Sequence, residues 1–257
     1  MLTGVEIIRL RRVYVIRKRT AAMVLSGLLT LALVFLAQGP PVSEEVFSYA
    51  VANKIIVIDP GHGGIDTGAS RGNIVEKDIT LAIAKRLAKD LSQGGAAVIL
   101  LRENGKDLAG DDFQGRIRDR KRKDMNTRVR RANEAKADLM ISIHTNAELG
   151  SSSSGAQTFY QFGDEKSKMT AVSIQEELKR VLGNTKRKAS GANYFVLKNT
   201  RMPAVIVEVG FISNPREARL LIDPDYQSKV SYAIFSGITR AAQQELDAKP
   251  SEGPGNP

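Results

Sequence analysis

The chain has only two histidines, and each lies where a short apolar run gives way to turn residues. His62 follows the apolar run 55–58, and His144 ends the apolar run 139–144. A strand that ends in a histidine and then turns places an imidazole at the rim of a sheet. Neutral imidazole is the commonest protein ligand for zinc. If both rims face one cleft, the histidines supply two of the three protein ligands of a hydrolytic zinc site.

The third ligand of such a site is expected to be a carboxylate. The chain contains no cysteine, which excludes thiolate zinc sites, disulfides and a cysteine nucleophile. Glu76 is the leading candidate, because it begins the first predicted helix on the same strand–loop–helix unit that presents His62. A negative charge also stabilises a helix N-terminus, so a simple capping role for Glu76 is the alternative.

A second glutamate, Glu208, is a charged residue within an otherwise apolar predicted strand at 203–209. Ionised groups are rarely buried without a partner. Glu208 is therefore either one half of an ion pair within the sheet or a general base that takes a proton from the attacking water. Asp59 and Asn146 flank the two histidines, where they either orient the imidazole rings or cap turns.

The elements that must position these residues alternate between strand and helix patterns. Strands are predicted at 54–59, 97–101, 138–144, 156–161, 193–197 and 203–209. Helices are predicted at 76–93, 125–136, 167–183 and 225–247, with a short one near 215–222. This alternation is typical of a mostly parallel sheet covered by helices on both faces. We therefore expect one three-layer α/β domain with a mostly parallel or mixed six-stranded sheet, plus an N-terminal transmembrane helix.

The N-terminal region predicts a membrane segment. Residues 9–19 contain six Arg or Lys, and the uncharged run 21–37 follows them. As a helix this run would span roughly 26 Å, near the lower limit for crossing a bilayer. Basic residues before it predict a cytoplasmic N-terminus and a catalytic part outside the cytoplasm. A cleaved signal peptide and a buried core helix are the alternatives to an anchor.

The charge of the chain favours anionic partners. The net charge is +10, which suits nucleic acid, anionic lipid or an anionic wall polymer. Residues 116–131 carry nine Arg or Lys but no aromatic residue, so the stacking platform that nucleic-acid binding often uses is missing. This stretch is either a solvated helix face or a surface attracted to wall polymer or lipid headgroups. The predicted parts of the chain are a cytoplasmic basic segment (1–20), a transmembrane anchor (21–37), a linker (38–52), a catalytic domain (53–247) and a disordered tail (248–257).

Four segments together resemble the zinc-dependent N-acetylmuramoyl-L-alanine amidases of bacterial cell walls, the Amidase_3 type. The resemblance covers about residues 54–245. The matching segments are Ile56-Val57-Ile58-Asp59-Pro60-Gly61-His62-Gly63-Gly64, Val75-Glu76-Lys77-Asp78, Ser142-Ile143-His144-Thr145-Asn146-Ala147 and Val207-Glu208-Val209-Gly210-Phe211-Ile212-Ser213-Asn214.

The resemblance carries the following implications for the site and the reaction. It implies that His62, Glu76 and His144 bind Zn²⁺ and that Glu208 is the catalytic carboxylate. It also implies a mixed sheet between helices. The reaction that it implies is hydrolysis of the amide between the lactyl group of muramic acid and L-alanine of the peptidoglycan stem peptide.

Three further segments resemble the sporulation and germination-specific branch of this family, whose members strip peptides from muramic acid so that muramic-δ-lactam can form in the spore cortex. These segments are residues 102–109, 154–160 and 184–188. The space around the developing spore is the expected site of action. No inserted helix is expected to plug the zinc between His144 and Glu208. Control is then expected from timing of expression, localisation or an activating protein partner.

Rival functions predict different products. A zinc peptidase would cleave within the stem peptide, whereas an amidase would free the amino group of L-alanine and leave the glycan intact. A non-catalytic wall-binding scaffold would use the basic surface, but the assembled histidines and glutamates would then lack an explanation. A membrane-tethered nucleic-acid-binding protein would show steeply salt-dependent affinity for DNA.

Overall fold

The structure is a computed structural model that describes residues 49–248, together with residues 23 and 28–30. Contacts divide the chain into two units, Met1–Ser43 and Glu44–Pro257. The second unit contains every strand of the described part, and the rest of this subsection concerns that unit.

The second unit alternates strands and helices along most of its length. Its strands are β1 (Ile55–Pro60), β2 (Ser70–Arg71), β3 (Ile74–Val75), β4 (Ala97–Leu100), β5 (Leu139–Asn146), β6 (Gln157–Tyr160), β7 (Ser190–Gly191) and β8 (Ala204–Phe211). Its helices are α1 (Glu76–Gln93), α2 (Ile117–Glu134), α3 (Glu165–Leu182), α4 (Phe195–Asn199), α5 (Pro215–Leu221) and α6 (Pro224–Asp247). A short 3₁₀ helix at Tyr49–Val51 precedes β1 and buries Ala50 and Val51.

Six of the strands form one mixed sheet in the order β4-β1-β5-β8-β6-β7. The neighbours β4, β1, β5 and β8 are parallel, whereas β6 runs antiparallel to β8. The central strands β1, β5 and β8 are almost entirely buried, as expected for parallel strands covered on both faces. Because these three strands are parallel, their carboxyl ends meet at one edge of the sheet, which is where α/β proteins place their sites.

Two apolar layers hold the helices on the sheet. On one face, Ile58 and Ile141 belong to a cluster that includes residues of α1, α3 and α6. On the other face, Val57 and Met140 pack with residues of α2 and α4. The alternation of neighbouring strand residues between the two clusters follows from the period of two along a strand. The single α/β domain with a mixed six-stranded sheet agrees with the prediction.

Two of the predicted elements differ from the structure. The predicted strand at 193–197 is wrong, because Phe195–Asn199 is the helix α4, and the sheet position next to β6 is taken by Ser190–Gly191 instead. The aromatic and β-branched residues of 194–196 favour a strand locally, but burial of Val196 against the α2 side of the sheet decides the outcome. Helix α2 begins well before the predicted start at 125. Its first turns are charged and exposed and show no apolar period, so the sequence pattern does not indicate them.

The membrane part of the predicted fold class is also wrong. A spanning helix needs about 20 consecutive apolar residues. Within the part of the chain that the structure describes, no helix combines the length and the apolar character that crossing a membrane requires. Of the expected transmembrane segment 21–37, all residues except 23 and 28–30 lie outside the described residues, as do the predicted basic segment 1–20 and most of the predicted tail.

Candidate metal centre

His62 lies in the loop that leaves the carboxyl end of β1. Its backbone has a φ of 63°, in the left-handed region that non-glycine residues seldom adopt. Two buried arginines hold this loop by its carbonyl groups: Arg102 donates to the carbonyls of Pro60 and Gly61 at 2.9 Å each, and Arg128 donates to those of Pro60 and His62. The conformation that presents the imidazole is therefore fixed by long-range hydrogen bonds rather than by local preference.

Glu76 is the first residue of α1, and its side chain points into the sheet edge rather than capping its own helix. The residue is 3% exposed. Its Oε1 lies 3.2 Å from Nε2 of His62 and 3.1 Å from Nδ1 of His144, and it accepts a hydrogen bond from the N–H of Thr145 at 2.9 Å. Its Oε2 accepts from the N–H of Ala69 at 2.8 Å. Burial opposes ionisation of Glu76, but the hydrogen bonds and the charges of the two histidines together outweigh burial and lower the pKa of Glu76.

His144 reaches the same point from β5. The imidazole rings of His62 and His144 meet edge to face, with their centroids 4.9 Å apart. The ring of His144 lies directly over Gly61, so that a Cβ at that position would overlap the imidazole. A glycine is therefore needed at position 61 because the ring of His144 approaches its backbone closely, and not because of the backbone conformation of Gly61.

His62, Glu76 and His144 form a group that could hold a metal ion. One ligand atom from each residue can be chosen so that all three lie within 4.8 Å of one another. Two imidazole nitrogens and one carboxylate oxygen match the donor set of a catalytic zinc site, which leaves a coordination position for water. The structure thus brings together the three residues that the sequence predicts as metal ligands.

Glu208 lies beside this group on β8. It is the register partner of His144 on the neighbouring strand β5, so both side chains emerge on the same face of the sheet. Its Oε2 is buried without a hydrogen-bond partner among the described residues, which disfavours a role in a structural ion pair. Burial, with a smaller contribution from the negative charge of Glu76, raises the pKa of Glu208 to about 7, against the attraction of His144. A carboxylate with such a pKa can both accept and return a proton near neutral pH.

The two residues expected to orient the imidazoles have other contacts. Asp59 is buried and accepts hydrogen bonds from Arg128 Nη1 at 2.6 Å and from Ser142 Oγ at 2.8 Å. Asn146 ends β5, where its carbonyl accepts from the N–H of Ile212 at 2.9 Å.

Besides Glu76, a second carboxylate contacts a histidine ring: Oδ2 of Asp66 lies 3.0 Å from Nδ1 of His62. Sequence reasoning missed Asp66, although its position four residues after His62 on a glycine-rich loop is a usable signal.

The α/β domain gathers two histidines and two glutamates, one of them protonatable, at the carboxyl edge of its sheet, and these are the kinds of residue that a metal-assisted hydrolase uses. Comparison with known proteins identifies the family. The family model described as "N-acetylmuramoyl-L-alanine amidase" (Amidase_3) matches residues 56–240. The chain belongs to this family, and the resemblance predicted from its motifs is confirmed.

Several relatives span most of the same domain. The germination-specific N-acetylmuramoyl-L-alanine amidase of Bacillus subtilis is 43% identical over 206 residues, which cover 80% of this chain and 86% of the relative. The CwlD amidase of Clostridioides difficile, solved in complex with the GerS lipoprotein, superimposes with a TM-score of 0.72 at 37% identity and covers 77% of this chain and 100% of its own. The catalytic domain of CwlV from Bacillus (Paenibacillus) polymyxa var. colistinus gives a TM-score of 0.63 at 34% identity, covering 76% and 99%.

Proposed function

We propose that this amidase is zinc-dependent, that His62, Glu76 and His144 hold the ion, and that Glu208 is the general base. The observation that carries the proposal is the convergence of these side chains from four separate elements of the fold. A group of two imidazoles and one carboxylate suits zinc better than magnesium or calcium, which take oxygen ligands. When bound, the zinc ion lowers the pKa of a water molecule and polarises the carbonyl of the scissile amide.

The protein's own residues then handle the proton. Glu208 has a buried Oε2 with no hydrogen-bond partner in the described part of the chain, and it lies on the same sheet face as His144. In the proposed reaction this carboxylate accepts a proton from the attacking water. It returns that proton to the departing nitrogen of L-alanine as the amide bond breaks. Glu76 remains ionised throughout, because its low pKa keeps it deprotonated at neutral pH.

We further propose that the substrate is spore-cortex peptidoglycan, and that the enzyme acts outside the cytoplasm during cortex maturation. Support comes from the 43% identity to a protein named as a germination-specific amidase. The solved complex of the C. difficile CwlD amidase with the GerS lipoprotein supports a protein partner for this chain.

Product analysis tests the proposal. Purified peptidoglycan is incubated with the wild-type protein and with a Glu208→Ala variant, and the fragments are identified by mass spectrometry. With the wild-type protein we expect free amino groups on L-alanine and intact glycan strands. We expect Glu208→Ala to retain zinc but to lose turnover. Fragments cut within the stem peptide would identify a peptidase instead, and digestion by the variant at the wild-type rate would refute the role of Glu208.

A further inference from the structure

The imidazole of His62 is held at both of its ring nitrogens by carboxylates. Nε2 lies 3.2 Å from Oε1 of Glu76, and Nδ1 lies 3.0 Å from Oδ2 of Asp66. Glu76 is part of the proposed metal centre, whereas Asp66 is on the far side of the ring. A carboxylate in that position orients the imidazole without occupying the nitrogen that faces the centre.

Asp66 is itself fixed by its backbone and by its side chain. Its N–H and carbonyl pair with the carbonyl and N–H of Gly63, at 2.9 Å in both directions, which closes the loop after His62. Its other carboxylate oxygen, Oδ1, lies 2.7 Å from Nζ of Lys121. Lys121 belongs to α2, so this ion pair connects the basic helix to the loop that presents His62.

These contacts have a chemical consequence for the ring. An imidazole that donates Nδ1–H to a carboxylate keeps Nε2 free of a proton, which is the form that binds a metal ion. We infer that Asp66 is the positioning residue that selects this form of His62, and that Lys121 holds the Asp66 carboxylate in place. The inference rests on the proposed metal-binding role of His62, and it assigns a role to one part of the basic stretch 116–131.

The main test is zinc affinity. Zinc dissociation constants are measured by competition with a chromophoric chelator for the full chain and for Asp66→Asn. Loss of a carboxylate partner of a ligating histidine typically weakens metal affinity about 10- to 100-fold, and we expect a loss in this range. Lys121→Met should weaken zinc binding by a smaller factor, about two- to fivefold, because its ion pair is half exposed.

A matched control comes from the same helix. Lys123 is also exposed on α2, but its ammonium group lies over the ring of Phe113 at 5.1 Å from the centroid and does not contact Asp66. Lys123→Met removes the same charge from the same surface and should bind zinc as the wild type does. An equal loss in both lysine variants would assign the effect to net charge and overturn the role of Lys121.

A second measurement does not depend on catalytic activity. Since the chain has only two histidines, ¹⁵N-labelled histidine gives two resolvable ring spin systems. The measurement uses a metal-free Glu76→Ala variant at pH 9, because in the wild type an ionised Glu76 3.2 Å from Nε2 would compete with Asp66 for the ring proton. In Glu76→Ala we expect His62 to carry its proton on Nδ1. In Glu76→Ala combined with Asp66→Asn we expect a mixture of both tautomers.

These outcomes separate the inference from the proposed function. A His62 protonated on Nε2 in metal-free Glu76→Ala would overturn the inference, as would a folded Asp66→Asn variant with the wild-type zinc dissociation constant. A wild-type chain that binds no zinc would instead refute the proposed metal centre, while the tautomer of His62 would still report whether Asp66 orients the ring.

Discussion

The raised pKa of Glu208 predicts a pH-dependent effect of removing its charge. In the folded, metal-free protein the pKa is raised from 4.5 to about 7, mainly because burial disfavours the ionised form. Ionisation of Glu208 therefore destabilises the fold. This destabilisation is absent below pH 4.5 and complete above pH 7, so stability falls as the pH rises through this window. A Glu208→Gln variant keeps the shape of the side chain and cannot ionise.

The size of the effect follows from the shift. Raising the pKa of Glu208 from 4.5 to about 7 corresponds to about 3 kcal/mol of free energy. Free energies of unfolding are measured in urea with a chelator present, for the wild type and Glu208→Gln, at about pH 4 and about pH 8.5. We expect nearly equal stabilities at the acidic pH and an advantage of about 3 kcal/mol for the variant at the alkaline pH. Subtracting the free energy of unfolding of the wild type from that of the variant at each pH cancels the contributions of the other groups that titrate in this range.

A control variant and a refuting result complete this test. Glu103 is exposed, so Glu103→Gln should change stability by less than about 0.5 kcal/mol at either pH. If the difference in the free energy of unfolding between wild type and Glu208→Gln stays constant from acidic to alkaline pH, ionisation of Glu208 does not destabilise the fold. The assignment of a buried, unpartnered carboxylate at this position would then be wrong.

Three further predictions concern the metal ligands, the buried arginine and helix packing. His144→Ala should bind no zinc in a chelator competition and should not digest peptidoglycan, and retention of stoichiometric zinc would contradict its role as a ligand. Arg128→Met should lower the free energy of unfolding in urea by about 3–5 kcal/mol, because it leaves the buried Asp59 carboxylate without its ion-pair partner; a loss below about 1 kcal/mol would contradict this account. Gly237→Ala should lower stability by about 1–3 kcal/mol and reduce the thermal midpoint, since a Cβ there would overlap the backbone of Ile174, and an unchanged midpoint would show that α3 and α6 can separate without penalty.

The sequence predicts the central part of the sheet and the residues that meet at the candidate metal centre. The apolar runs that form β1, β5 and β8 are local signals, and parallel pairing places their carboxyl ends at one edge. His62 follows the run that forms β1, and His144 ends the apolar run 139–144 of β5. Their approach to one another could therefore be expected without coordinates.

The orientation of the histidines could not be predicted in the same way. Asp59 is adjacent to the loop that carries His62, yet its partner is Arg128, which lies far along the chain and is brought near by the packing of α2. Asp66 contacts His62 because the loop folds back through its pairing with Gly63, and no helical or strand period reports such a turn. Long-range packing and loop geometry, rather than composition, decide these contacts.

Local preference also misleads at one edge of the sheet. Residues 194–196 are aromatic and β-branched, which favours a strand in isolation. In the structure the sheet position beside β6 is already occupied by β7, and Val196 and Leu197 are buried within the short helix α4. Tertiary packing therefore overrides the local preference of this segment.

The most direct measurement of the central claim is anomalous X-ray scattering from crystals of the zinc-loaded protein, recorded on both sides of the zinc absorption edge. The account predicts one strong anomalous peak in this domain, at about 2.0–2.2 Å from a ring nitrogen of His62, a carboxylate oxygen of Glu76 and a ring nitrogen of His144, with Glu208 nearby but not coordinating. No peak at this position in catalytically active protein, or a peak bound by other residues, would contradict it.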